Sequence, residues 1–173
     1  MKISKAKNKL HLFFRVLLPL LCLATIAFIF SNSLQTASVS STQSSAVVEI
    51  VQDVAEIVAP QSQIARGNPT ALELLHTFIR KSAHFLEFAL LGALYCWTYF
   101  SYTENSKKLY IPAVTVFPVP FMDEAIQLFV EGRGASITDV GIDMCGVIFG
   151  VLFAFVSVLC IKKIISRRKT AKE

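Results

Sequence analysis

A hydrocarbon layer about 30 Å thick takes roughly 20 residues of helix to cross, and four stretches of this chain approach that length: residues 12–31, 82–101, 109–130 and 140–161. With 173 residues, 54% of them hydrophobic, and a mean hydropathy of +0.57, the chain reads as one all-α membrane domain with four transmembrane helices. The expected order is a basic N-terminus at 1–11, a first span at 12–31, an outer loop with amphipathic helices at 32–81, a core of three spans within 82–161, and a basic tail at 162–173.

The net charge of +5 is no sign of a nucleic-acid partner, because the basic residues flank the apolar stretches instead of interleaving with aromatic stacking residues. They read as topology signals. If both termini are cytoplasmic, only Arg66, Arg80, Lys81 and Arg133 of the 17 Lys and Arg residues lie outside, and Lys107, Lys108 and both basic ends lie inside. The positive-inside bias therefore favours this orientation. A cleaved leader is the alternative for the first stretch, but the apolar run over residues 10–30 exceeds the usual ~7–15 residues of a leader core. Cys22, Cys96, Cys145 and Cys160 all fall in apolar stretches without CxxC or Cys/His metal spacing, which points to small packing residues and away from a disulfide framework or a zinc site.

Residues 31–45, rich in Ser, Thr, Gln and Asn, read as a flexible connector. Over 46–58 the pattern turns helical: Val47, Ile50, Val51, Val54, Ile57 and Val58 share one face and Glu49, Asp53 and Glu56 the other, ending at Pro60. This helix is expected to pack by its apolar face, or to act as a lid. Asn68-Pro69 is a helix start, with Asn as cap and Pro in the first turn. Pro118 and Pro120 remove backbone donors within the third stretch, so a kink or break is expected near 116–120.

Charge at mid-bilayer costs roughly 2.5–3.5 kcal/mol, so ionisable groups in a span normally face protein or a wet cavity. Here His84 and Glu87 lie in the second stretch, Asp123 and Glu124 in the third and Asp143 in the fourth. At 1.5 Å per residue, Glu87, Asp123 and Asp143 lie about 9, 10 and 6 Å below the outer edge in the expected orientation. On the second helix Glu73, His76, Thr77, Arg80, Lys81, His84 and Glu87 form one polar sector. Gln127 and Glu131 share a sector with Asp123 and Glu124, and Gly146 and Gly150 continue the face of Asp139 and Asp143 as a small-xxx-small stripe that admits a close neighbour. Arg133, in the turn 131–134, carries a donor fork suited to a carboxylate or phosphate; pairing with Asp139 or Glu131 is the plain structural alternative. The spacing of His84 and Glu87 also occurs in carboxylate-rich metal sites of helix bundles, with Asp123, Glu124 and Asp143 as further donors. Acid/base work by His84 and Glu87 and a purely structural ion-pair network fit the same residues, so neither a metal nor a cofactor follows from the sequence. GxSxG, HExxH, P-loop and dinucleotide-binding motifs are absent.

The run Arg80-Lys81-Ser82-Ala83-His84-Phe85-Leu86-Glu87-Phe88, followed by Asp123-Glu124-Ala125-Ile126-Gln127-Leu128-Phe129, Gly132-Arg133, Asp139-Val140, Gly146 and Gly150, resembles the VanZ-like family of small bacterial integral membrane proteins. The resemblance covers about residues 75–150 and implies Lys81, His84, Glu87, Asp123, Glu124, Gln127, Arg133 and Asp139 as the shared polar set. Asp143 stands where the family often has Asn, and Phe88 where it often has Tyr. The resemblance implies a bacterial cell-membrane protein and a role in resistance to teicoplanin, a glycopeptide that acts on cell-wall precursors outside the membrane.

Three functional classes follow as expectations. In the first, an envelope factor binds a membrane lipid, a lipid-linked wall precursor or the glycopeptide itself through Lys81, Gln127, Arg133, Asp139 and Asp143. In the second, an intramembrane hydrolase or transferase acts on a phosphate-containing lipid, with His84, Glu87, Asp123 and Glu124 as its catalytic set. In the third, a small proton-coupled carrier uses the same acids, and four helices would then need to form a homodimer to line a path.

Overall fold

The computed structural model describes residues 2–103 and 109–170, with side chains described over 11–103 and 109–167. Lys107, Lys108 and Lys172, counted above among the inner charges, lie outside the described residues, as do the side chains of Lys2, Lys5, Lys7, Lys9, Arg168 and Lys169. The fold is all-α, with helices α1 (Lys2–Ser33), α2 (Ala37–Val58), α3 (Pro69–Tyr102), α4 (Tyr110–Val116), α5 (Pro118–Gln127) and α6 (Ile137–Thr170).

Among the described residues two helices are long and apolar enough to cross a membrane: α1 over His11–Ser33 and α6 over Ile137–Arg167. The other two expected spans do not match that description. Residues 82–101 lie inside α3, where His84 and Glu87 dilute the apolar run. Residues 109–130 do not form one helix: α4 stops at Val116, α5 starts at Pro118 and ends at Gln127. The break falls where the two prolines predict it. Phe117 N–H still reaches Ala113 O at 3.2 Å, but Pro118 and Pro120 have no N–H to give, so the ladder lapses while the chain keeps its direction.

Helix α3 is the central post. It packs most extensively on α6, then on α1, and the buried core around it contains Ile29, Phe88, Leu91, Cys96, Val116 and Val147. The α3–α6 seam is a backbone approach. A methyl at Gly150 would overlap the carbonyl of Ala89, one at Gly146 would overlap the carbonyl of Phe85, and one at Gly92 on α3 would overlap the carbonyl of Val147. Trp97 Nε1 donates to Ser157 Oγ at 3.0 Å farther along the same seam. Away from these contacts, Leu12, Leu23, Leu86, Phe121, Phe149 and Phe153 are exposed on the outside of the bundle.

The expected flexible connector is mostly helix. Only residues 34–36 separate α1 from α2, and α2 starts at Ala37. No Gly or Pro interrupts 31–45, and the hydroxyls bond back along the helix: Thr42 Oγ1 to Ser38 O at 3.0 Å and Ser45 Oγ to Ser41 O at 2.9 Å. The apolar face of α2 is not the packing face either. Ile50, Val54, Ile57 and Val58 are exposed, Ile57 at 83%, whereas Val48 is buried and Ser44 Oγ meets His76 Nδ1 at 3.1 Å on α3. The cap of α3 is as expected, with Asn68 Oδ1 accepting from Ala71 N at 3.2 Å and Pro69 in the first turn. All four cysteines are free; Cys22 and Cys96 are buried, but Cys145 and Cys160 face outward, because the inward face of α6 belongs to its glycines and Val147.

Candidate functional site

At the end of the bundle where α1 meets α2, the polar faces of α3, α5 and α6 converge. Asp123 on α5 and Asp143 on α6 are buried, at 0% and 1% exposure, with the His84 imidazole of α3 beside them: Nδ1 is 4.0 Å from Asp123 Oδ2 and 3.9 Å from Asp143 Oδ1. These are separations of charge neighbours, too long for hydrogen bonds. Asp123 takes its hydrogen bonds elsewhere, from Ser33 Oγ at 2.6 Å and from Gln127 Nε2 at 3.1 Å. The i,i+4 spacing on α5 places Gln127 one turn from Asp123, and Ser33 comes from the last residue of α1.

A cavity of about 130 Å³ opens above this floor. Lys81, Gln127, Arg133, Asp139 and Asp143, the five residues expected to bind a ligand, all line it, together with His84 and Arg80. Lys81 Nζ and Asp139 form a half-exposed ion pair at its edge. Asp139 lies in the first turn of α6 but gives its carboxylate to Lys81. The loop from α5 to α6 forms the roof. Its Glu131 O accepts from Ala37 N at 3.4 Å, tying the start of α2 to the cavity mouth. Gly132 sits at φ +74°, in the left-handed region open to Gly, and points Arg133 inward.

Arg133 does not pair with Asp139 or Glu131, the partners expected from the sequence; among the described residues it makes no ion pair or side-chain hydrogen bond. Desolvation lowers the pKa of its guanidinium, as does the nearby Arg80, while Asp123 and Glu124 oppose the shift. Two guanidinium groups, those of Arg80 and Arg133, thus line one cavity mouth.

Of the four residues expected to form a catalytic set, His84 and Asp123 come together and the other two diverge. Glu87 turns toward α1, where Asn32 Nδ2 donates to its Oε1 at 2.9 Å. It lines a second cavity of about 170 Å³ with Asn32, Ser40 and Ser44, and Arg80, His84 and Arg133 border both spaces. Glu124 is buried and accepts from the backbone N–H of Ser136, just ahead of α6, which makes it a clasp between α5 and α6. Arg80, Asn32 and Ser33 complete the site and were not singled out from the sequence as site residues. Arg80 lay in the predicted polar sector, and the only signal for the other two was the polar Ser31-Asn32-Ser33 end of an apolar run.

None of the curated proteins and none of the solved structures compared with this chain gives a match. A family model does match, described as VanZ/LLP1, and it spans residues 16–160. The match extends beyond 75–150 to take in α1, the helix that supplies Asn32 and Ser33 to the polar cluster, and the chain belongs to the VanZ/LLP1 family.

Proposed function

We propose that this protein is a bacterial cell-membrane protein that crosses the bilayer four times with both termini cytoplasmic. In this reading its outward-facing pocket binds the phosphate of a lipid-linked cell-wall component, and that binding underlies resistance to teicoplanin-type glycopeptides. The observation that carries the reading is the mouth of the cavity, which Arg80 and Arg133 line together, neither forming an ion pair with a carboxylate among the described residues, with Lys81 at the rim. Guanidinium forks match phosphate oxygens two at a time and supply the charge that an anionic headgroup needs.

Several features support the membrane placement. At 1.5 Å per residue the 34 residues of α3 are about 50 Å long, so the helix can cross a core of about 30 Å and still stand clear at its N-terminal end, where Arg80 and Lys81 lie. At the α4–α5 break Val116, Val119 and Pro120 are buried against protein, the setting in which irregular backbone is tolerated at membrane depth, while Val114 and Pro118 face outward. The exposed apolar side chains of α1 and α6 are what a lipid-facing exterior calls for.

The test uses the full chain in lipid nanodiscs, with a polyprenyl phosphate and the corresponding polyprenyl alcohol as probes. The phosphate should bind and the alcohol should not. Arg133→Ala and Arg80→Ala should each weaken binding and, in cells, glycopeptide tolerance. Equal binding of phosphate and alcohol, or wild-type binding by both variants, refutes the reading.

A second reading is favoured by the setting of His84 between two buried carboxylates. A phosphoester hydrolase or transferase would use His84 to take a proton from water or an acceptor hydroxyl as its oxygen bonds to phosphorus, and to hand that proton to the leaving oxygen as its bond to phosphorus breaks. This reading requires a product, and mass spectrometry of envelope lipids incubated with the protein separates it from simple binding.

A further inference from the structure

Among the described residues, Asp143 is the carboxylate in the cluster that receives no hydrogen bond at either oxygen. Asp123 has Ser33 and Gln127, Glu124 has the Ser136 N–H at one oxygen, and Asp139 has Lys81. Both oxygens of Asp143 are buried and without a hydrogen-bond partner, although its side chain is 1% exposed and borders the cavity. A buried carboxylate left in this state carries its full desolvation cost, and native proteins pair such groups or place them on a cation.

The spacing around Asp143 is that of a shared ion. One donor atom from each of His84, Asp123 and Asp143 lies within 4.8 Å of the others. The His84 Nδ1 distances of 3.9 and 4.0 Å to the two carboxylates are too long for hydrogen bonds. Two donors held by one ion at about 2.0–2.2 Å in tetrahedral geometry lie about 3.3–3.6 Å apart, so the three side chains would draw in by about 0.3–1.5 Å to hold a central cation, within the reach of small rotations about their side-chain torsions. One imidazole and two carboxylates are the donor types that Zn²⁺ and Mn²⁺ accept. Two negative charges against one divalent ion would also neutralise the buried pair.

The geometry points to a divalent-cation site made by His84, Asp123 and Asp143, with its unfilled coordination positions turned toward the cavity beneath Arg80 and Arg133. Three protein ligands and an open side are the pattern of cation sites that accept a further ligand. A phosphate oxygen held by the two arginines is the group of matching charge, and that part of the inference rests on the phosphate reading above. The cation site itself rests on the three side chains alone.

Full-length protein in nanodiscs, stripped with a chelator, is titrated with Mn²⁺ by electron paramagnetic resonance and with Zn²⁺ by calorimetry. At least one of the two ions should bind at one per chain. Asp143→Asn, a near-isosteric change, and His84→Ala should weaken that binding at least tenfold, within the ~10–100-fold range for disturbed metal sites. Glu49→Gln, an exposed acid on α2 that lines neither cavity, should leave it unchanged. No saturable uptake of either ion, or uptake that survives Asp143→Asn in protein with wild-type helix content, overturns the site. Polyprenyl phosphate binding measured on the same samples separates the two ideas. Cation uptake without lipid binding leaves the site standing and removes the phosphate reading; lipid binding without cation uptake does the reverse.

Discussion

Ser33, the last residue of α1, donates its hydroxyl to Asp123 Oδ1 at 2.6 Å across a sequence separation of 90 residues, and both side chains are fully buried. This bond makes α1 part of the site, since it fixes the carboxylate that His84 faces. Removing a donor from a buried carboxylate costs about 1–3 kcal/mol. Ser33→Ala should therefore lower the thermal midpoint of the detergent-solubilised protein clearly, whereas Ser31→Ala, whose hydroxyl bonds back to Phe28 O on an exposed surface, should leave it nearly unchanged. Equal midpoints for the two variants would remove α1 from the site.

The seam between α3 and α6 predicts a sharp contrast among glycines on one helix. Gly150→Ala must push backbone against backbone at Ala89, and overpacking of this kind costs about 1–3 kcal/mol. Gly141→Ala meets nothing within 4 Å. Unfolding measured side by side should show the first variant destabilised and the second unchanged or slightly more stable, because Ala is the better helix former.

Gly132 and Gly134 flank Arg133 but do different work. The left-handed backbone of Gly132 costs an L-residue about 1–2 kcal/mol, and a Cβ there would also press on Ala37 Cβ at 3.1 Å. Gly134 has open space around it. Gly132→Ala should thus shift Arg133 and weaken binding of polyprenyl phosphate severalfold, and Gly134→Ala should bind like wild type in the same assay.

Four crossings with cytoplasmic ends predict a labelling pattern. In a background with Cys22, Cys96, Cys145 and Cys160 replaced, single cysteines at positions 81, 131 and 139 should react with an impermeant thiol reagent on intact cells. A cysteine at position 167 should react only after permeabilisation. Labelling of 81, 131 and 139 from the cytoplasmic side would overturn the outward-facing pocket.

Much of the site's placement was legible in the sequence because helical period and membrane aversion act together. An ionisable residue inside an apolar run has few places to point, so Glu87, Asp123 and Asp143 are expected near one level; Asp123 and Asp143 do flank one imidazole, that of His84, while Glu87 turns to Asn32. Prolines 118 and 120 marked the backbone break for an equally local reason, and Gly146 and Gly150 marked the close helix contact. Pairing was not legible. Whether Glu87 turns to His84 or to Asn32 depends on the rotation of α3 against α1, which a single-helix pattern does not contain. The Ser-rich start of α2 was misread because composition alone favours a loop, whereas hydroxyl back-bonding and the absence of Gly and Pro let the helix persist. Arg133 was expected to find an acid nearby; Lys81 has taken Asp139 instead.

The interlocked glycines also limit how this protein can move. Where Gly92, Gly146 and Gly150 bring two main chains into contact, α3 and α6 cannot slide or roll without collision, so His84 and Asp143 ride on a single stiff frame. Asp123 stands on a separate piece, α5, set off by the missing backbone donors of Pro118 and Pro120. Breathing of the cluster therefore falls to α5, a short lever pivoting against a fixed wall.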